Sequence, residues 1–252
     1  MPLTDQATLL LALHKPGRPI VAPTVWDPWT AQIAAEQGFV ALTVGSHPVA
    51  TSMGRADNED LSLAEMLARV ALITDAVGLP TSADLEAGYG EEPARIVDGL
   101  LESGAVGLNL EDTVHSEGGR LRSTQEHADF IRAIRAAADE TAVHVVVNAR
   151  TDILLKQVGP QEDRLDRAIE RLQGAVAAGA DVLYPVGLHD GDTWGRLTAE
   201  LSLPLNALAR PDVDDLETLS GLGVGRISFG PMWQNALGGR AADLLAPWRP
   251  VA

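Results

Sequence analysis

Eight short apolar, β-rich runs alternate with eight helical patterns along 252 residues, which predicts an α/β chain folded as one (β/α)8 TIM barrel spanning 1–252. Two further observations support this. Several helical patterns stop at a glycine, where a left-handed cap is wanted. Charged residues also collect just past the strand ends, the rim on which barrels of this class carry their active sites.

The elements follow in order. Pro-Ile-Val-Ala at 19–22 is the first strand, and its helix at 28–37 stops at Gly38. Val-Ala-Leu-Thr-Val at 40–44 leads across a long loop, 45–60, to a helix at 61–77 stopped by Gly78. Thr-Ser-Ala-Asp at 81–84 feeds a helix at 92–103 ending at Gly104. Val-Gly-Leu-Asn-Leu at 106–110 is joined by a second long loop, 113–123, to a helix at 124–138. A strand at 143–149 precedes a helix at 161–178 ending at Gly179. The last three pairs are 182–185 with 190–201, 205–208 with 212–220, and 226–229 with 232–246. Strands alternating with helices imply a parallel sheet. No composition break or linker divides the chain. The loop at 113–123, rich in glycine and long for its place, is a candidate lid.

Composition narrows the function classes. There are 19 basic and 35 acidic residues, a net charge of −16, which argues against nucleic acid or an anionic membrane as partner. No apolar run is long enough for a membrane span, and the first residues lack a basic-then-apolar signal pattern, so a cytoplasmic setting is expected. The absence of cysteine excludes disulfides, thiolate metal sites and a cysteine acid or nucleophile. Lys15 and Lys156 are the two lysines, and neither sits in a convincing Schiff-base site.

Three strand ends carry the chemistry. Residues 81–90 read Thr-Ser-Ala-Asp-Leu-Glu-Ala-Gly-Tyr-Gly, residues 107–112 Gly-Leu-Asn-Leu-Glu-Asp, and residues 145–152 Val-Val-Val-Asn-Ala-Arg-Thr-Asp. Singly, each carboxylate reads as a helix cap or a solvated loop residue. Together, Asp84, Glu86, Glu111 and Asp112 on one rim call for a cation or shared protons. Oxygen-only ligands favour a hard ion such as Mg²⁺, with Mn²⁺ as the alternative. Arg150 beside it offers a planar fork for the carboxylate of an anionic substrate.

Ser46 with Gly-Arg-Ala-Asp at 54–57, Asp-Leu-Glu-Ala-Gly-Tyr-Gly at 84–90, 107–112, and Asn-Ala-Arg-Thr-Asp at 148–152 resemble the isocitrate lyase/phosphoenolpyruvate mutase superfamily, in order, over about residues 18–238. The resemblance implies Mg²⁺ and a small 2-oxo acid or its enolate in the rim. It implies Asp84 as the direct metal ligand, with Asp57, Glu86 and Glu111 acting through metal-bound waters, and Ser46 and Arg150 on the substrate's anionic group. It also implies a homo-oligomer, tetramer or dimer, with the C-terminal helix swapped between subunits. The departures are informative. The lyases of the superfamily carry a Lys-Lys-Cys-Gly-His lid whose cysteine is the acid, and this lid has neither Cys nor Lys. The phosphonate enzymes carry a Lys-x-Asn-Ser lid, also absent, and Pro48 has no N–H where they use one.

His47 is a candidate catalytic residue beside Ser46, and His115 lies in the lid. Tyr89 is a candidate proton donor or orienting group. Arg120 and Arg122 in the lid are candidates for a second carboxylate, Trp26 for a pocket wall, and Tyr184 and Asn206 for pocket lining. The reaction expected is Mg²⁺-dependent C–C cleavage of a 2-oxo or 2-hydroxy di- or tricarboxylate, decarboxylation of an oxaloacetate-like acid fitting best. The alternatives are P–C chemistry on phosphonopyruvate and a non-catalytic 2-oxo acid-binding barrel.

Overall fold

The computed structural model describes residues 1–250. Helix α1 (Leu3–Leu13) precedes the barrel. The first barrel strand comes in two pieces, β1 (Ile20–Val21) and β2 (Thr24–Val25), split at Ala22 and Pro23, where proline cannot donate to a ladder. Helix α2 (Pro28–Glu36), β3 (Leu42–Val44), α3 (Ser46–Ser52), α4 (Leu63–Val77), β4 (Thr81–Asp84), α5 (Pro93–Glu102) and β5 (Gly107–Leu110) follow. Next come a small hairpin of β6 (Thr113–Val114) and β7 (Arg120–Leu121), then α6 (Thr124–Asp139), β8 (Val146–Thr151), α7 (Arg164–Ala177), β9 (Val182–Pro185), α8 (Gly191–Glu200), β10 (Asn206–Leu208), α9 (Leu216–Gly221), β11 (Arg226–Ser228) and α10 (Met232–Leu245).

All barrel pairings are parallel. They run β2-β3-β4-β5-β8-β9 in one sheet and β1-β11-β10 in another. A bridge between Leu183 and Leu205 joins β9 to the chain entering β10, and β2 continues β1, so the ring closes. The expected (β/α)8 architecture is therefore the observed one.

Local chemistry sets the helix ends. Asp27, Ser62 and Ser123 each accept from the backbone N–H three residues on and donate their own N–H to the side chains of Thr30, Glu65 and Glu126, which are capping boxes. Val44, Val70, Ile96, Ile131, Leu172 and Leu197 fill the layer between sheet and helices. The barrel lumen is polar instead. The Arg226 guanidinium donates to Ser82 Oγ across it at 2.8 Å, and Asn148 Nδ2 donates to Asn109 Oδ1 (2.8 Å) and Asn206 Oδ1 (3.0 Å).

Some elements differ from expectation. Helix α1 forms over a Leu-rich stretch and packs Ala7 and Leu10 on Ile20, Ala41, Val106, Val146 and Val182, sealing the barrel floor. The expected loop at 45–60 begins with α3, and the expected lid loop is the β6–β7 hairpin. The strand expected to end at residue 149 continues through Thr151, because Thr151 pairs with Pro185 in the β8–β9 register. Among the described residues no helix is long and apolar enough to cross a membrane.

Candidate active site

The site is assembled at the C-terminal strand ends. A cavity of about 230 Å³ is lined there by Ser46, His47, Asp57, Asp84, Asn109, Arg150 and Tyr184, among others. Gly45, at the entry to α3, permits the close approach of that helix. A Cβ there would lie 2.6 Å from Thr24 Cγ2 and 2.7 Å from Pro48 Cγ.

Arg150 is the hub. Its Nη1 lies 2.7 Å from Glu111 Oε2 and 3.6 Å from Asp84 Oδ2, and its Nε lies 2.7 Å from Asp152 Oδ1. Burial alone would lower its pKa, but Glu111, Asp152 and Asp84 hold it well above the ordinary arginine value. Asp152 is in turn fixed by Thr113 Oγ1 at 2.7 Å. Ser46 Oγ reaches Asp84 Oδ2 at 3.4 Å.

The carboxylates crowd one another. Burial, then repulsion from Glu111 and Asp57, pushes Asp84 up to about 7 against the pull of Arg150. Burial, then Asp57, Asp84 and Glu111, pushes Glu86 up to about 9. Glu86 is held by the Glu59 N–H at 2.8 Å and by the Tyr89 hydroxyl at 3.2 Å. His115 reaches in from the hairpin region, with Nε2 2.6 Å from Glu111 Oε1 and 3.6 Å from Glu86 Oε2. Burial opposes protonation of His115, but its bond to Glu111 raises its pKa. His47 Nδ1 lies 3.1 Å from Asp57 Oδ2, while the buried Oδ1 of Asp57 has no hydrogen-bond partner. Backbone strain gathers here too. Asn58 (φ 71°), Glu59 (φ 61°), Glu86 (φ 47°) and Tyr89 (φ 57°) are all in the left-handed region that favours glycine.

Asp57, Asp84, Ser46, His47 and Arg150 thus share one cavity, with Glu86 and Glu111 directly behind it. Five expectations fall elsewhere. Asp112 turns outward, accepting from Thr151 Oγ1 (2.6 Å), the Asp152 N–H (2.9 Å) and Arg171 Nη1 (3.1 Å), because neighbours on an extended chain point to opposite sides. Arg120 is on the surface, paired with Glu117 and Glu126. Trp26 lies edge-on to Trp233, with centroids 5.3 Å apart, and Asn206 is buried in the lumen network. Tyr89 orients Glu86 rather than lining the cavity. Sequence reasoning did not single out Glu59, Asn109 or the apolar wall of Val186, Leu208 and Met232. Asn109 had a signal, a polar residue inside an apolar strand; Glu59 in its loop had none.

The donor set suits a hard divalent ion. It is all oxygen, it includes an unpartnered buried carboxylate oxygen, and its members raise one another's pKa values. Among the described residues no three carboxylates or imidazoles stand close enough to wrap an ion by themselves.

A closed parallel barrel with a rim of carboxylates around one arginine defines an enzyme of the α/β-barrel class. The family model for phosphoenolpyruvate phosphomutase matches residues 10–246, and the chain belongs to this family. The 2-methylisocitrate lyase of Escherichia coli (strain K12) is 30% identical, over 78% of this chain and 71% of its own. The oxaloacetate decarboxylase of Pseudomonas entomophila (strain L48) is 31% identical, over 80% and 70%. Among solved structures, oxaloacetate acetylhydrolase in complex with its product oxalate superposes with a TM-score of 0.84 at 28% identity, covering 97% of this chain and 86% of that one. These relatives are lyases and hydrolases of the isocitrate lyase/phosphoenolpyruvate mutase superfamily.

Proposed function

We propose that this protein is a divalent-metal-dependent carbon–carbon lyase acting on a small 2-oxo acid, with decarboxylation of an oxaloacetate-like acid as the reaction that fits best. The observation that carries the reading is the Arg150 guanidinium held between Glu111 and Asp84 at the mouth of a small cavity, in a chain with no cysteine to serve as the lyase acid.

Asp84 would hold Mg²⁺ or Mn²⁺, with Asp57, Glu86 and Glu111 accepting hydrogen bonds from its waters. The ion would supply Lewis-acid stabilisation of the negative charge that develops on the oxo group as the bond breaks. Arg150 and Ser46 orient the substrate carboxylate. His115 and Tyr89 fix the directions of Glu111 and Glu86, as carboxylates near a metal require. His47, paired with Asp57 on the cavity wall, is the group we assign to carry a proton to the carbon left behind. Decarboxylation places the lightest demand on such an acid, since solvent can also deliver that proton. Pro48 lines the cavity with no N–H for a phosphonate oxygen.

Oligomerisation belongs to the same reading. An apolar groove of about 490 Å³ between α2 and α9 is lined by Ile33, Phe39, Leu219 and Ile227, among others, where a barrel's eighth helix would lie. Helix α10 instead runs outward with no buried residue, exposing Leu244 and Leu245. A second copy's α10 is the occupant we infer. Light scattering of the full chain and of a chain ending at residue 231 should show loss of the oligomer in the latter; a full-length monomer would refute it.

The activity test is a panel of 2-oxo acids, isocitrates and phosphonopyruvate with Mg²⁺, followed by NMR and compared with Asp84→Ala to subtract free-ion catalysis. Release of CO2 from an oxaloacetate-like acid, dependent on Asp84, is expected. Faster conversion of phosphonopyruvate would favour P–C chemistry, and binding without turnover a non-catalytic barrel.

A further inference from the structure

The cavity is divided by strand. On one side the rim presents Ser46 and His47 after β3, Asp84 on β4, Asn109 on β5 and Arg150 on β8. On the other it presents Val186 after β9, Leu208 on β10 and Met232 at the start of α10, with the hydroxyls of Tyr184 on β9 and Ser228 on β11 bonded to each other between them. Val186 and Leu208 pack with Tyr184 and Met232 in a cluster of their own, separate from the main core. A buried apolar cluster that ends as a cavity wall is built to be covered by hydrocarbon.

The cations confirm the division. Arg150 is the one arginine or lysine lining the cavity, and its Nε and Nη1 are already engaged by Asp152 and Glu111. Arg122 donates to the Glu111 and Ala87 carbonyls and lies over Phe130 at 4.3 Å, and Arg226 is tied to Ser82 in the lumen. A second carboxylate directed at Val186 and Leu208 would therefore be desolvated against apolar side chains, with Arg150 and Arg226, the arginines that act on Tyr184 in this cluster, already donating to Glu111, Asp152 and Ser82. An alkyl group there meets its own kind.

We propose that the β9–β11 side of the cavity is a subsite for a small aliphatic group on the carbon next to the substrate's oxo group, seated against Val186, Leu208 and Met232. The substrate class is thereby a 3-alkyl-2-oxo acid. This rests on the 2-oxo acid reading of the site.

The test uses the full-length protein with Mg²⁺ and calorimetry of pyruvate, 2-oxobutanoate, 3-methyl-2-oxobutanoate and 2-oxoglutarate. Affinity is expected to rise about fourfold per added carbon along the first three, the gain for burying a methylene. 2-Oxoglutarate should bind no better than pyruvate. Leu208→Ser and Val186→Thr, which keeps the side-chain shape, should flatten the series, cutting the gain per added carbon to less than about twofold. A flat series in the wild type, or tighter binding of 2-oxoglutarate, overturns the subsite. So does turnover of oxaloacetate tenfold faster than of its 3-methyl derivative, a result that leaves the lyase reading standing. No binding by any of the four acids overturns both.

Discussion

At the N-terminal ends of the barrel strands, Ala7 and Leu10 of α1 meet Ile20, Val106, Val146 and Val182 in an apolar plug. At the C-terminal ends of the same strands, Asp84, Glu86, Glu111 and Arg150 are crowded together in buried positions, over backbone held in the left-handed region. One end lowers the free energy of the fold. The other spends some of it on groups that would be better solvated elsewhere, which is the signature of a site kept for chemistry. Substitutions at the two ends should therefore have opposite profiles, and that contrast can be tested.

The largest effect is expected at Asp84. Asp84→Ala should lower Mg²⁺-dependent turnover by about 10²–10³-fold or more, the scale seen when a transition-state charge loses its stabiliser. Its melting temperature should stay level or rise, since a crowded carboxylate is gone. Equal Mg²⁺ affinity in mutant and wild type, by calorimetry with oxalate present, would remove Asp84 from the metal site.

Leu10→Ala addresses the opposite end. Truncating a buried leucine costs about 2–5 kcal/mol, which lowers the melting temperature of a chain this size by several degrees. kcat/KM should not change. A variant that melts normally but turns over slowly would show that the two ends are coupled.

Arg150→Lys keeps the charge and loses the fork. A charge-assisted hydrogen bond of this kind contributes about 1.5–3 kcal/mol, so kcat/KM should drop roughly tenfold to a hundredfold. Unaltered kinetics would make Arg150 a structural ion pair with Glu111 and Asp152.

The smallest effect is pH-dependent. Asp84 and Glu86 have folded-state pKa values pushed up to about 7 and about 9, above their unfolded values. The fold then binds protons that the unfolded chain has released. Their contribution to stability is complete below the ordinary carboxylate range and is lost as pH rises through about 7 and then about 9. In chelator, melting temperature should fall between pH 5 and 9, and less steeply in Glu86→Gln or with Mg²⁺ added. Parallel curves for wild type and Glu86→Gln would show that Glu86 is not strained.

Much of the barrel was legible along the chain. The strands at 81–84 and 182–185 appear with the expected bounds, and Asp57, Asp84 and Arg150 reach one cavity from three separate stretches. What was legible is local: β-rich runs and glycine stops act over a few residues, and a parallel barrel then brings its strand ends together. Direction and distance across the lumen were not. Whether Glu111 or Asp112 faces the cavity depends on one step of the chain past β5, and Arg120 could be placed on the outer surface only once Glu117 and Glu126 stood beside it. Val186, Leu208 and Met232 look like ordinary core residues in the sequence. Only the closed ring, which sets the end of β9 beside Arg150 and the end of β10 across from Asp84, turns them into a cavity wall, because hydrophobicity is a property of one residue and a binding surface is a relation among several.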